Sequence, residues 1–177
     1  MARLLNGSEL QGFIKNRQLQ QVRNLRQEHN IVPKLCIVVS DKATDVINTY
    51  IRMKSRYAED IAIEVDVRQV SFANIGAEIE RANADESVQG IILQLPIDDV
   101  SKTQDLCDMI SPDKDVDGLG QNAKYVGATA QAIDWLFVGY NVELKNKQIV
   151  IVGNGKLVGG PLSDLWRSQG LILQVLD

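Results

Sequence analysis

The sequence predicts an α/β protein: an N-terminal three-layer α/β unit with a mostly parallel sheet, followed by the first part of a second strand–helix–strand unit. Three observations carry that reading. Short apolar runs at 34–40, 90–94 and 148–152 have the length and β-branched content of strands buried in parallel sheets. Segments with helical spacing alternate with the strands in βαβαβα order, which implies right-handed crossovers. A glycine-rich turn then follows the run 148–152 and opens a further helix and strand. The 177 residues allow one large or two small domains, and a polar, aperiodic stretch at 119–126 is the expected connection.

The elements follow in order. Ser8 and Gln11 have the spacing of a capping box, and a broken apolar stripe from Leu10 to Leu25 predicts a helix to about His29 on the outside of the sheet. Pro33 stops it, and Lys34 to Ser40 reads as the first buried strand. A polar loop leads into a helix over roughly Val46 to Asp60. Alternation within 61–70 suits a half-exposed edge strand. Asn74 is placed to cap a helix through Ile79 and Ala82. The apolar run Gly90 to Gln94 is read as the central strand, followed by a helix near Lys102 to Ile110. Thr129 can cap a helix ending near Tyr140, and Gln148 to Val152 reads as a strongly buried strand. A helix to Gln169 and a strand from Leu171 to Leu176 close the chain before Asp177.

Composition narrows the chemistry. With 45% hydrophobic and 24% charged residues the chain has a soluble globular composition. A net charge of -4 and no Lys/Arg cluster argue against a nucleic-acid surface. No apolar run is long enough to cross a bilayer, and Met1 to Gly7 turns polar too soon for a secretion signal. Cys36 and Cys107 read as small buried thiols in a reducing cytoplasm. The single His29 leaves a zinc site and a Ser-His-Asp triad without parts, so no metal is expected.

Two stretches concentrate the candidate chemistry. Gln94 ends a buried strand, and ligands of open α/β sheets bind at the carboxyl ends of strands. Pro96 follows it, and a loop at Pro112–Gly118 carries three acids and a lysine. Tyr50 and Lys54, four residues apart, share a helical face. If the strands 34–40 and 90–94 are neighbours, the first turns of that helix lie beside Gln94. The turn Gly153-Asn154-Gly155-Lys156-Leu157 follows a strand and precedes a helix, where glycines let the backbone approach a pyrophosphate. Gly159 falls one residue later than in G-x-G-x-x-G. Asp177, 24 residues after Gly153, is close to where an acid meets the adenosine ribose in a Rossmann-like domain.

With these residues placed, the chain resembles the bifunctional methylenetetrahydrofolate dehydrogenase/methenyltetrahydrofolate cyclohydrolase family over essentially its whole length. The carriers are Tyr50-x-x-x-Lys54, Gly90-Ile-Ile-Leu-Gln94-Leu-Pro96, Pro112-x-Lys114-Asp-Val-Asp117-Gly118, and Val152-Gly153 through Val158-Gly-Gly-Pro161. The resemblance implies a folate-binding catalytic domain at 1–127 and a partial Rossmann-like NAD(P)-binding domain at 128–177. It implies NAD(P)-dependent oxidation of 5,10-methylenetetrahydrofolate and hydrolysis of the methenyl product to 10-formyltetrahydrofolate, in a cytoplasmic homodimer. It makes Lys54 the catalytic lysine, Gln94 its hydrogen-bonding partner, Tyr50 the stacking ring and Asp117 the acid gripping the pterin, with Leu95 and Pro96 beside the substrate. Gly153, Asn154, Gly155, Lys156, Leu157 and Asp177 are the residues for the dinucleotide. A partly buried lysine is suited to proton exchange near neutrality. A carboxylate can accept two hydrogen bonds from the pterin.

Departures from the family pattern sharpen the expectations. Ile47 stands where a serine is usual three residues before the tyrosine, with Thr44 the nearest hydroxyl; Leu119-Gly120-Gln121 replaces an aromatic-histidine-proline; and Thr129-Ala130 replaces Thr-Pro. The segment from Gly118 to Thr129 is short. Asn154-Gly155 replaces Arg-Ser, which with Asp177 favours NAD over NADP. The further strands, Pro-Gly-Gly segment and terminal helix of the family's dinucleotide domain lie outside these 177 residues, so the chain is expected to be C-terminally truncated. Two function classes stay open: a one-carbon folate enzyme, and a non-catalytic folate- or nucleotide-binding module.

Overall fold

The structure, a computed structural model, describes residues 4–177; the first residues of the stretch read for a secretion signal lie outside them. The order is α1 (Gly7–His29), β1 (Lys34–Ser40), α2 (Asp45–Asp60), β2 (Glu64–Val70), α3 (Ile75–Ala84), β3 (Gly90–Leu93) and α4 (Thr103–Asp108), then α5 (Ala128–Gly139), β4 (Ile149–Val152), α6 (Gly159–Ser168) and β5 (Leu173–Leu176).

The first sheet is parallel with order β2-β1-β3, so the 90–93 strand is not central; β1 is. The reason lies in the alternation along β1, where every residue from Cys36 to Ser40 is buried. Cys36 and Val38 face α3 and α4, packing with Ile75, Ile79, Ile91 and Cys107. Ile37 and Val39 face α2, packing with Ile47, Ile51 and Ile92. These two apolar clusters, one on each face, make the three layers. β2 is the expected edge strand. Its Arg68 binds Asp66, Glu78 and Asp85 at 2.7, 3.1 and 3.3 Å, tying the edge to α3. Beyond β3, the other edge is met by an isolated bridge from Ile91 to Asp115.

Helix α1 lies outside, with Val22 its buried residue. Its cap is Asn6 rather than Ser8: Asn6 Oδ1 accepts from the Ser8 amide at 3.0 Å, so the chain enters the helix two residues earlier than the capping-box spacing suggested. Asn74 precedes α3 but makes no side-chain cap; its amide donates to Ser71 Oγ at 3.1 Å across a short 3-10 turn. Thr129 is already inside α5, whose cap is Gly127, without a side-chain cap bond.

The second sheet pairs β4 with β5 in parallel. Ile151 is buried against Ala130, Leu162 and Trp166, and Phe137 meets Trp166 edge-on at 5.7 Å. The strand is not buried on both faces as its composition suggested. Val150 and Val152 point away from α5 and α6, and Val152 is 81% exposed. Both helices pack on one face, and alternate side chains of a strand point to opposite faces. The two sheets are joined through α1 and α5: the Asn6 amide donates to Tyr140 Oη at 2.9 Å, and Tyr140 donates to Glu9 at 2.6 Å.

Candidate active site

The parallel β1–β3 pair places the start of α2 over the carboxyl end of β3. The Thr44 hydroxyl caps α2 by accepting from the Ile47 amide at 3.4 Å, and Ile47 itself is buried in the core. The position that lacks the usual serine is therefore a core position, and the nearest hydroxyl is used to start the helix. One and two turns later α2 presents Tyr50 and Lys54.

Lys54 Nζ donates to Gln94 Oε1 at 2.9 Å. Gln94 is buried, and its Nε2 donates to Leu95 O at 2.9 Å, which turns the amide oxygen toward the lysine. Both residues border a cleft of about 470 Å³. The first α/β unit and the loop after it contribute Tyr50, Lys54, Leu93, Gln94, Leu95, Asp117 and Leu119 to its lining, and the later chain contributes Gly127, Ala128 and Thr129 with Leu157 and Val158. Tyr50, Lys54, Gln94, Leu95 and Asp117 thus meet in one place, whereas Pro96 is exposed and lies outside the lining.

The acidic loop divides its charges among separate tasks. Lys114 Nζ donates to the carbonyls of Ala82, Asn83 and Asp85 at 3.3, 2.8 and 2.8 Å, closing the carboxyl end of α3. Asp113 pairs with Lys124. Asp115 is 1% exposed, and its two oxygens accept from the amides of Gly118 and Gly120 at 3.0 and 2.8 Å. The Ile91 amide donates to Lys114 O at 2.7 Å, so this segment runs alongside β3 and brings Asp117 level with the end of that strand. The sequence singled out Asp117 alone. Alternation around the loop distinguishes the acids only once one knows that the segment pairs with β3.

Sequence reasoning also missed Leu119, Gly127, Ala128 and Val158 as wall residues. They sit in aperiodic or apolar stretches whose proximity to Lys54 is a product of the fold. Leu119 is held from outside by Gln104, whose amide donates to its carbonyl at 3.3 Å.

The turn after β4 depends on glycine for both its backbone conformation and its close packing. Gly153 has φ +92°, open to glycine but costly for other residues. A Cβ on Gly159 would meet Gly153 O at 1.9 Å, so Gly159 is the glycine of close helix–strand approach despite its late position. A Cβ on Gly155 would meet nothing within 4 Å, leaving room beside that backbone for a bulky group. The Gly153 amide donates to Leu176 O at 2.6 Å, which sets Asp177 directly beyond the turn. Leu157 reaches the cleft; Gly153, Asn154, Gly155, Lys156 and Asp177 do not line it. Lys156 is instead bonded to Gln104 on α4.

A family model described as tetrahydrofolate dehydrogenase/cyclohydrolase, catalytic domain, matches residues 5–117. The chain belongs to this family. The bifunctional protein FolD of Lactobacillus helveticus is 30% identical over 189 residues, a match covering 99% of this chain and 66% of that protein. The crystal structure of the FolD dehydrogenase/cyclohydrolase from Campylobacter jejuni superposes with a TM-score of 0.92 at 25% identity, covering 98% of this chain and 66% of that one. The Trypanosoma brucei FolD, complexed with NADP and inhibitor, shares the fold at 22% identity and TM-score 0.90, covering 99% of this chain and 64% of that one. The NAD-dependent enzyme of Saccharomyces cerevisiae shares it at 19% and 0.82, covering 97% and 63%. The chain therefore spans just under two thirds of these family members. Their family fold is the one described above, α/β with a parallel first sheet.

Electrostatics in the cleft centres on Asp117. Burial pushes its carboxyl above the ordinary carboxylate value; the Lys54 charge pulls it down and the Asp115 charge pushes it further up. The folded protein thus holds the Asp117 proton more tightly than the unfolded chain, so this residue costs stability as pH rises. The cost appears as pH passes the ordinary carboxylate value and is complete above the raised one. Asp117→Asn should therefore raise the Tm of the ligand-free protein at pH 7, with the gain shrinking to nothing as pH falls below the ordinary carboxylate range. Thermal melts of both proteins across pH 3–8 check this, and a gain that persists at the acid end would contradict it.

Proposed function

We propose that this chain carries the folate site of a methylenetetrahydrofolate dehydrogenase/methenyltetrahydrofolate cyclohydrolase. The observation that carries the reading is the 2.9 Å bond from Lys54 to the buried Gln94, in the same cleft as Asp117 and Tyr50. Residues 1–127 form the folate-binding domain and 128–177 a partial dinucleotide domain, with the cleft between the two sets of elements. Asp117 accepts two hydrogen bonds from the pterin amino group and ring N–H. Tyr50, half exposed at the mouth, stacks on the ring system. Gln94 orients Lys54, and Leu95 supplies apolar contact.

In the hydrolytic step, water adds to the methenyl carbon and the bond from that carbon to N5 breaks. The water oxygen becomes the formyl oxygen on N10, one proton passes to N5 and the other to solvent. Lys54 relays the proton between the attacking water and N5, held at that point by Gln94 Oε1. In the oxidative step Lys54 holds the substrate. The Gly153–Leu157 turn, with Gly159 closing onto Gly153, fits a dinucleotide, which when bound supplies a hydride acceptor.

Replacement of Lys54 by Met should leave folding intact, since its side chain reaches into a cleft rather than the core, and should lower the hydrolysis rate by about 10²–10⁴-fold. The check is the loss of methenyltetrahydrofolate absorbance with both proteins, alongside calorimetric folate binding. Folate binding by the unsubstituted chain without any hydrolysis would select the non-catalytic module. Hydrolysis at an unchanged rate in Lys54→Met would remove the assignment.

For the cofactor, NAD is proposed over NADP. Asp177 lies at the end of β5 beside the Gly153 amide, where a carboxylate accepts from ribose hydroxyls and repels a 2′-phosphate. Asn154 provides no cation, and Lys156 is engaged by Gln104. Titrating the chain with each dinucleotide should give a lower Kd for NAD, with Asp177→Ser narrowing the difference. Tighter binding of NADP by the unsubstituted chain would overturn the preference.

Cys36 and Cys107 are free and buried, each thiol pushed up to about 11 first of all by burial, which supports a reducing cytoplasm as the setting. Expression as a tagged chain and fractionation of the cell tests that location. No helix among the described residues is long and apolar enough to cross a membrane. The open face of the second sheet, with Val150, Val152 and Leu176 exposed, supports homodimer formation. Sedimentation equilibrium should show dimer at high protein concentration, and a monomer throughout would exclude it.

A further inference from the structure

We infer that Asp115 is a positioning residue for folate recognition, fixing the aim of Asp117 by holding the loop around it. The inference rests on the folate reading of the cleft. Its basis is the way the backbone wraps this one carboxylate. Asp115 is fully buried, and its two oxygens are spent on the amides of Gly118 and Gly120, three and five residues on. Asp117 lies inside that closed loop, so the two bonds determine where its side chain leaves the backbone.

The wrap extends to the later chain. Gly118 has φ +66°, and a Cβ there would meet Tyr125 O at 2.4 Å and the Gly127 amide nitrogen at 2.9 Å. A Cβ on Gly127 would meet Asp117 O at 3.2 Å, and one on Gly120 would meet Asp115 Oδ2 at 3.0 Å. The loop at Asp117 and Gly118 is therefore in close contact with the backbone of Tyr125–Gly127, and Gly127 lines the same cleft as Lys54. A solvated acidic turn would not be packed in this way.

The same burial gives Asp115 an electrostatic role. Lys54 on α2 and Asp115 on the loop are the charged groups acting on Asp117, in opposite directions; Gln94 on the β3 side is neutral. Cys107 on α4 also feels Asp115, as a thiol whose own proton is held by burial. Gripping the pterin requires the Asp117 carboxylate, so folate affinity should fall as pH drops through the Asp117 transition. Removing the Asp115 charge should shift that fall to lower pH, whereas a purely structural role would weaken binding without moving it.

The experiment measures the Kd of 5-formyltetrahydrofolate, as a stable reduced folate, from pH 8 down to the ordinary carboxylate range for the unsubstituted chain, Asp115→Asn and Gly120→Ala. In Asp115→Asn the acid limb should move to lower pH. Gly120→Ala disturbs the wrap and keeps the charge, so it should weaken binding about 5-fold or more with the limb in place. An unmoved limb in Asp115→Asn overturns the inference, even with the folate reading intact. If Asp115→Asn does not fold, Gly120→Ala decides: affinity equal to the unsubstituted chain overturns it. A chain that binds no folate at any pH overturns both readings.

Discussion

Parallel pairing of β1 with β3 is the constraint on which the site depends. Leu35 to Val38 lie opposite Gly90 to Leu93, and this register puts the end of β3 directly below the first turns of α2. The polar tip of the cleft is built from residues that are far apart in the chain, Lys54 and Gln94, because two buried strands end side by side. What keeps the strands paired is apolar packing on both faces of β1, with Cys36 and Val38 on one side and Ile37 and Val39 on the other. The chemistry at the strand ends is thus supported by a core that has no chemistry of its own.

Polar groups at that end are held by backbone rather than by other charges. Gln94 is oriented by the Leu95 carbonyl, Lys114 by three carbonyls at the end of α3, and Asp115 by two amides. Buried polar atoms of this kind need partners, and no buried side-chain nitrogen or oxygen among the described residues lacks one. Satisfaction of the loop groups leaves Lys54 and Asp117 as the two charges turned toward the cleft. One cation and one partly buried acid thus share an apolar-lined space.

The second sheet contributes by close approach. Gly159 abuts Gly153, so α6 begins almost in contact with the end of β4, and Leu157 and Val158 are carried to the cleft wall. The glycine spacing departs from the G-x-G-x-x-G template by one residue, yet the close contact is present and is made by Gly159 alone of the two glycines that open the helix, since a Cβ on Gly160 would meet nothing nearer than 3.5 Å. Val150 and Val152 show the limit of composition as a guide: a β-branched run marks a strand, but only packing says which of its faces is covered.

Much of this was legible in the sequence. The succession of elements along the chain, the edge position of β2 and the outside position of α1 followed from periodicity, and Tyr50 and Lys54 share a helical face because local spacing decides which face a side chain takes. Gln94 joins them only because β1 and β3 lie side by side, and Asp117 was singled out by the resemblance of its motif to the family's. Helix starts were less legible: Asn6 and Gly127 begin helices where Ser8 and Thr129 had the stronger local signal, since several nearby residues could each cap and tertiary packing selects among them. Strand order, the burial of Asp115 and the one-sided covering of β4 were decided by the tertiary structure alone. Each depends on which segments lie beside one another across long sequence separations, and no local pattern in the chain encodes that neighbour.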